Sequence, residues 1–143
     1  MNEKKASVHW EGRGKQGVGR IGTETGAIKD APYGFASRFE DDRRGTNPEE
    51  ILGAAHAACF TMALSLILGE AKLTATQMDT TARVTLEQVE GGWAINAVQL
   101  TLRAKVPGAD AATFAELAAK AKAGCPVSKV LNATITLDAA LVD

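Results

Sequence analysis

The chain has 143 residues, of which 45% are hydrophobic and 23% charged, and its net charge is −1. This balance fits one soluble folded domain, 1–143, and excludes a disordered chain. So small a net charge provides no electrostatic footprint for nucleic acid or an anionic membrane.

The charged N-terminus, Met1–Lys5, leads into Val8-His9-Trp10 with no apolar stretch behind it. An export signal needs such a stretch, so a cytoplasmic location is expected. The first 40 residues read as short strands with glycine turns. Residues 17–23 alternate glycine with β-formers, and Glu24-Thr25-Gly26 is a turn candidate. Pro32-Tyr33-Gly34 marks a further break before Phe35–Phe39, and Asp41–Gly45 reads as a charged loop.

A helix start follows. Asn47 can cap it, Pro48 suits its first position, and Glu50 completes a capping-box pattern. No charge appears from Ile51 to Leu68, and Gly69 and Glu70 close the segment. This length reaches the lower limit for a membrane span. Gly53, His56, Thr61 and Ser65 interrupt it, however, and no aromatic belt flanks it. A helix apolar nearly all round must be buried in protein, and a chain of this size seldom encloses one alone. Burial between two subunits, a homodimer, is therefore expected.

Residues 79–89 and 93–106 read as two strands joined at Glu90-Gly91-Gly92. Their alternation, clearest in Val98/Leu100/Leu102/Ala104/Val106, buries one face. Asp110 can cap a second helix through Ala123, with Gly124 as its stop. Pro126 starts a short helix to Leu131, and Ala133–Leu141 reads as a last strand. The class is mixed α+β.

Only two cysteines occur, Cys59 and Cys125. In a reducing compartment a structural disulfide is rare, so each is either an inert core residue or a working thiol. Cys59 lies in mid-helix, one turn after His56, where a reactive thiol would need a cation. Cys125 sits between two helices in Gly124-Cys125-Pro126, where backbone N–H groups can face a thiolate.

The segment Gly45–Phe60, with Asn47-Pro48-Glu49-Glu50 and His56-Ala57-Ala58-Cys59, resembles the signature of the OsmC branch of the OsmC/Ohr family. Ala123-Gly124-Cys125-Pro126-Val127-Ser128 is similar to that family's second motif, and the likeness runs from Val8–Glu11 to Thr134–Asp138. The resemblance implies an OsmC-like fold, with antiparallel sheets around a long buried central helix in an intertwined homodimer. It also implies a thiol peroxidase that reduces organic hydroperoxides and, more weakly, hydrogen peroxide. Cys59 would attack the O–O bond and become a sulfenic acid, which Cys125 would resolve as a disulfide. Neither cofactor nor metal is implied, and the reductant would be an external dithiol of lipoyl type.

The family also uses an arginine held by a glutamate. Glu49 matches the glutamate, and Arg38 is the preferred arginine, with Arg20 the competing candidate. Ten residues at 100° each leave Glu49 about 80° from Cys59, whereas Glu50 falls about 180° away. The same ten residues span about 15 Å along a helix, so either the helix bends near Gly53 or two subunits share each site. His56 reads as a packed, hydrogen-bonded interface histidine rather than a base. Phe60, Met62, Phe35 and Phe39 are candidates for an apolar pocket or for ordinary core. Two rival readings remain: a non-enzymatic stress-related binding protein, and a metal site built from His56, Cys59, Cys125 and His9.

Overall fold

A computed structural model describes residues Met1–Asp143, in two units, Met1–Ile51 and Leu52–Asp143. In the first unit, Ala6–Glu11 (β1), Val18–Thr23 (β2) and Ala31–Tyr33 (β3) form an antiparallel sheet in that order. The glycines around β2 have a packing reason. A Cβ on Gly17 would stand 2.2 Å from the Trp10 ring, and one on Gly19 would stand 2.2 Å from the Tyr33 ring. The two rings lie against the backbone, 5.6 Å apart. The sheet still buries no large apolar side chain, and β1 is exposed along its whole length.

Two sequence expectations change in this unit. Pro32-Tyr33 belongs to a strand, where Pro32 occupies the sheet edge that tolerates a missing N–H. Phe35–Phe39 is a short helix (α1) and not a strand. Ser37 accounts for it: its hydroxyl accepts from the Gly34 N–H at 3.0 Å and donates to the Thr46 carbonyl at 2.7 Å. That local bonding competes successfully with β-pairing.

Pro48–Glu70 forms the long helix α2, unbroken through Gly53. Asn47 Oδ1 accepts the Glu50 N–H at 2.8 Å, as a cap should. The capping box is not closed, because the Glu50 carboxylate takes the Thr46 hydroxyl at 3.1 Å. One row of the helix is buried: Glu49, Gly53, His56, Phe60, Leu64 and Leu68. Gly53 allows close approach, since a Cβ there would stand 3.3 Å from Val84. The opposite face exposes Ala54, Ala58, Met62 and Leu66. Burial within one chain is thus confined to that row. By length and composition alone α2 would also pass as a membrane span.

In the second unit, Gln77–Val89 (β4) and Gly92–Lys105 (β5) pair antiparallel around Gly91, whose φ of +92° suits glycine. Ala111–Gly124 (α3) follows a cap in which Asp110 accepts the Thr113 N–H at 2.8 Å. Pro126–Val130 (α4) leads into Thr134–Leu141 (β6), which completes a sheet of order β4-β5-β6. β6 runs parallel to β5, a departure from the all-antiparallel expectation. The crossover through α3 and α4 returns the chain to the end where β5 began, so it can only pair in the same direction. The core lies here, where Phe60, Leu64 and Leu68 of α2 meet Val98, Leu100 and Leu102 of β5 and Phe114 of α3.

Candidate active site

The sequence candidates gather into two groups, one in each unit. In the first, Glu49 is 8% exposed and holds Arg38 in a two-pronged pair. Arg38 Nε donates to Glu49 Oε2 at 3.2 Å and Nη2 donates to Oε1 at 2.6 Å. This planar fork fixes the guanidinium, a geometry that lysine does not reproduce. Arg20 instead leans toward the Asp30 carbonyl at 3.5 Å. The phase argument separates the two glutamates as observed: Glu49 turns inward, and Glu50 stays exposed at the cap. The Arg38 guanidinium also stands over the Phe39 ring, 5.3 Å from its centroid.

In the second group, Cys59 of α2 meets Cys125 at the α3–α4 junction. Both are free thiols, and their sulfurs lie 2.8 Å apart. Cys125 is fully buried, and Cys59 is partly so. With both sulfurs protonated, Cys125 donates to Cys59. Once one proton leaves, the groups around the pair decide which sulfur carries the charge. Burial raises Cys125, but the hydrogen bond from Cys59, the N–H and hydroxyl of Ser128 and the N–H of Val127 lower it overall. Burial and the bond to Cys125 push Cys59 up, against the single N–H of Val127. Within this unit these neighbours favour Cys125 over Cys59 as the more acidic thiol. A Cys59 thiolate requires a positive charge beside it.

His56 is wholly buried, and its Nε2 lies 2.7 Å from Ser128 Oγ. Ser128 stands in the second cysteine motif, but its pairing with His56 carries no signal in the sequence, because the two are 72 residues apart. Burial holds the imidazole below the 6.5 of a free histidine. It is neutral in the fold, while the unfolded chain takes up a proton near 6.5. Its contribution to stability is therefore complete above about pH 6.5 and is lost as pH falls below that value. The urea midpoint should accordingly drop between about pH 7.5 and about pH 5.5, and His56→Gln should flatten that drop. An unchanged slope in the variant would show that His56 titrates alike in both states.

The apolar candidates do not converge. Phe60 is core, and Met62 is 68% exposed. Phe35 lines a cavity of about 440 Å³ in the first unit with Tyr33, Lys15 and Arg20. His9 lies on exposed β1, and no three His, Cys, Asp or Glu side chains come together.

A helix-borne thiol in contact with a second, fully buried thiol defines a dithiol redox protein on an α+β scaffold. Residues 40–140 match the family profile described as OsmC-like protein. The chain is 58% identical to Peroxiredoxin OsmC of Escherichia coli (strain K12), over 94% of each chain. It is 35% identical to the Organic hydroperoxide resistance protein of Xanthomonas axonopodis pv. citri, over 65% of this chain and 67% of that one. Among solved structures, it superposes on the organic hydroperoxide resistance protein OhrB of Bacillus subtilis with a TM-score of 0.72. That match has 26% identity and covers 96% of this chain and 98% of the other. An OsmC-like protein of Vibrio cholerae shares the fold, at a TM-score of 0.80 and 13% identity over 98% of this chain and 100% of that one. The chain belongs to the OsmC-like family, in its OsmC branch.

Proposed function

We propose that the chain is a thiol peroxidase for organic hydroperoxides, with Cys59 as the attacking thiol and Cys125 as the resolving one. The contact of the two free sulfurs at 2.8 Å carries this reading. The Cys59 thiolate attacks the terminal peroxide oxygen, the O–O bond breaks, and the alkoxide leaves and takes a proton to become an alcohol. Cys59 keeps the OH as a sulfenic acid. Cys125 then attacks the Cys59 sulfur, an S–S bond forms as the S–O bond breaks, and hydroxide leaves as water. An external dithiol returns both sulfurs to thiols by exchange.

The cation for Cys59 is assigned to Arg38, fixed by Glu49, and is supplied across a homodimer. Two observations support the dimer: the apolar outer face of α2 and a first sheet that buries no large apolar side chain. The rise of about 15 Å between Glu49 and Cys59 along one helix supports sharing of the site between subunits. The cycle needs a compartment that keeps thiols reduced, which fits the cytoplasm.

The test is peroxide consumption with cumene, tert-butyl and hydrogen peroxides, coupled to dihydrolipoamide or to thioredoxin. Faster turnover of the organic peroxides with dihydrolipoamide is expected. No preference among peroxides, together with no thiol consumption, would sink the reading. An arginine beside a thiol lowers its pKa by about 1–3 units. Arg38→Ala should therefore slow the peroxide step by roughly tenfold to a thousandfold. An Arg38→Ala protein with an unaltered rate would assign the cation elsewhere.

A further inference from the structure

We propose that the external dithiol that recycles the protein enters at Cys59, attacking that sulfur of the disulfide and expelling Cys125. The proposal rests on the peroxidase reading above and deepens it, by fixing which of the two sulfurs the reductant meets.

Thiol–disulfide exchange passes through three sulfurs nearly in line, so the attacking thiolate must reach its target from the side opposite the leaving sulfur. For Cys125 that side is closed. Its side chain is 0% exposed and belongs to the core cluster that includes Phe114, Ala118 and Ala121 of α3. Cys59 packs at the margin of the same cluster and is only partly buried. Its neighbours one turn away on α2, Ala55 and Met62, are both exposed, as is Ala58. Cys125 covers one side of the Cys59 sulfur at 2.8 Å. The exposure left to Cys59 is therefore on the side where an incoming sulfur has to stand.

A second subunit can only remove exposure, so it leaves Cys125 closed, whereas the peroxidase reading requires Cys59 to stay within reach of peroxide. One thiolate of the reductant attacks Cys59 Sγ, and a new S–S bond forms there as the Cys59–Cys125 bond breaks. Cys125 leaves with the electron pair and takes up a proton. The second thiol of the same reductant, deprotonated, then attacks the reductant sulfur of the mixed disulfide. Cys59 leaves as a thiolate, and the dithiol departs oxidised to a disulfide. The neighbours that make Cys125 the more acidic thiol also make it the better leaving sulfur. Peroxide and reductant thus use one entrance in turn, and a single sulfur meets both.

The reverse reaction crosses the same transition state, so it tests the same contact. Hydroxyethyl disulfide is mixed with each reduced single-cysteine variant, quenched in acid, and the mixed disulfide is followed by mass spectrometry. The adduct on Cys59 in Cys125→Ser should form at least about a hundredfold faster than the adduct on Cys125 in Cys59→Ser, where the buried thiol reacts only through local opening. Unfolding in urea should erase the difference. Acidity alone predicts the opposite order, since the more acidic thiol supplies more thiolate at neutral pH. In the disulfide form of the wild type, 2-mercaptoethanol trapped by acid at the earliest times should appear on the peptide that holds Cys59. Equal rates in the two variants, a faster Cys125, or a first adduct on Cys125 would overturn the proposal. The wild-type measurement decides alone if a variant does not fold. A wild-type protein that consumes no peroxide would overturn the peroxidase reading instead. Neither exchange measurement uses peroxide, so both would still decide which sulfur an external thiol reaches.

Discussion

Cys59→Ser should abolish peroxide reduction, lowering turnover by roughly a thousandfold or more, to the background rate. A serine hydroxyl stays protonated at neutral pH, and no base near position 59 is free to activate it. His56, one turn away, is committed to Ser128. Cys125→Ser should behave differently: it should consume about one equivalent of peroxide and then stop, leaving a sulfenic acid that excess peroxide oxidises further. Peroxide consumption in a coupled assay and mass analysis of Cys59 distinguish the two variants. Full turnover in Cys59→Ser would show that Cys59 is not the attacking thiol.

Phe60→Ala should cost about 3–5 kcal/mol of folding stability, a large share of the roughly 5–15 kcal/mol that holds a domain together. The ring is wholly buried in the row of α2 that faces the sheet. Urea unfolding should register the loss as a lower midpoint at constant slope. Because Phe60 follows Cys59 directly, the same change should loosen the thiol pair and slow disulfide formation. A loss below about 1 kcal/mol would mean that the helix is held mainly by its outer face.

Local signals made much of this fold legible. Asn47 and Asp110 announce their helices by cap chemistry, and both make the expected bonds to backbone N–H groups. The alternation in β5 marks its buried face correctly, from Val98 to Ala104. The helical phase separates Glu49 from Glu50, and the first is buried while the second is exposed. What the sequence did not disclose depends on distant partners. Ser128 and His56 meet across 72 positions. The parallel pairing of β6 follows from a crossover, not from the composition of the strand. The helix at Phe35–Phe39 is decided by the bonds of one serine. The distribution of charge between the two thiols depends on which N–H groups surround each sulfur, and no linear pattern records that.

The meeting of Cys59 and Cys125 has a mechanical meaning as well as a chemical one. Joining them closes a loop across 66 positions, tying the middle of α2 to the junction of α3 and α4. A covalent closure of that length removes unfolded-state freedom worth about 4 kcal/mol. Each catalytic cycle would therefore alternate between a looser and a tighter version of the same fold. On the proposed cycle, the disulfide form would be the sturdier of the two.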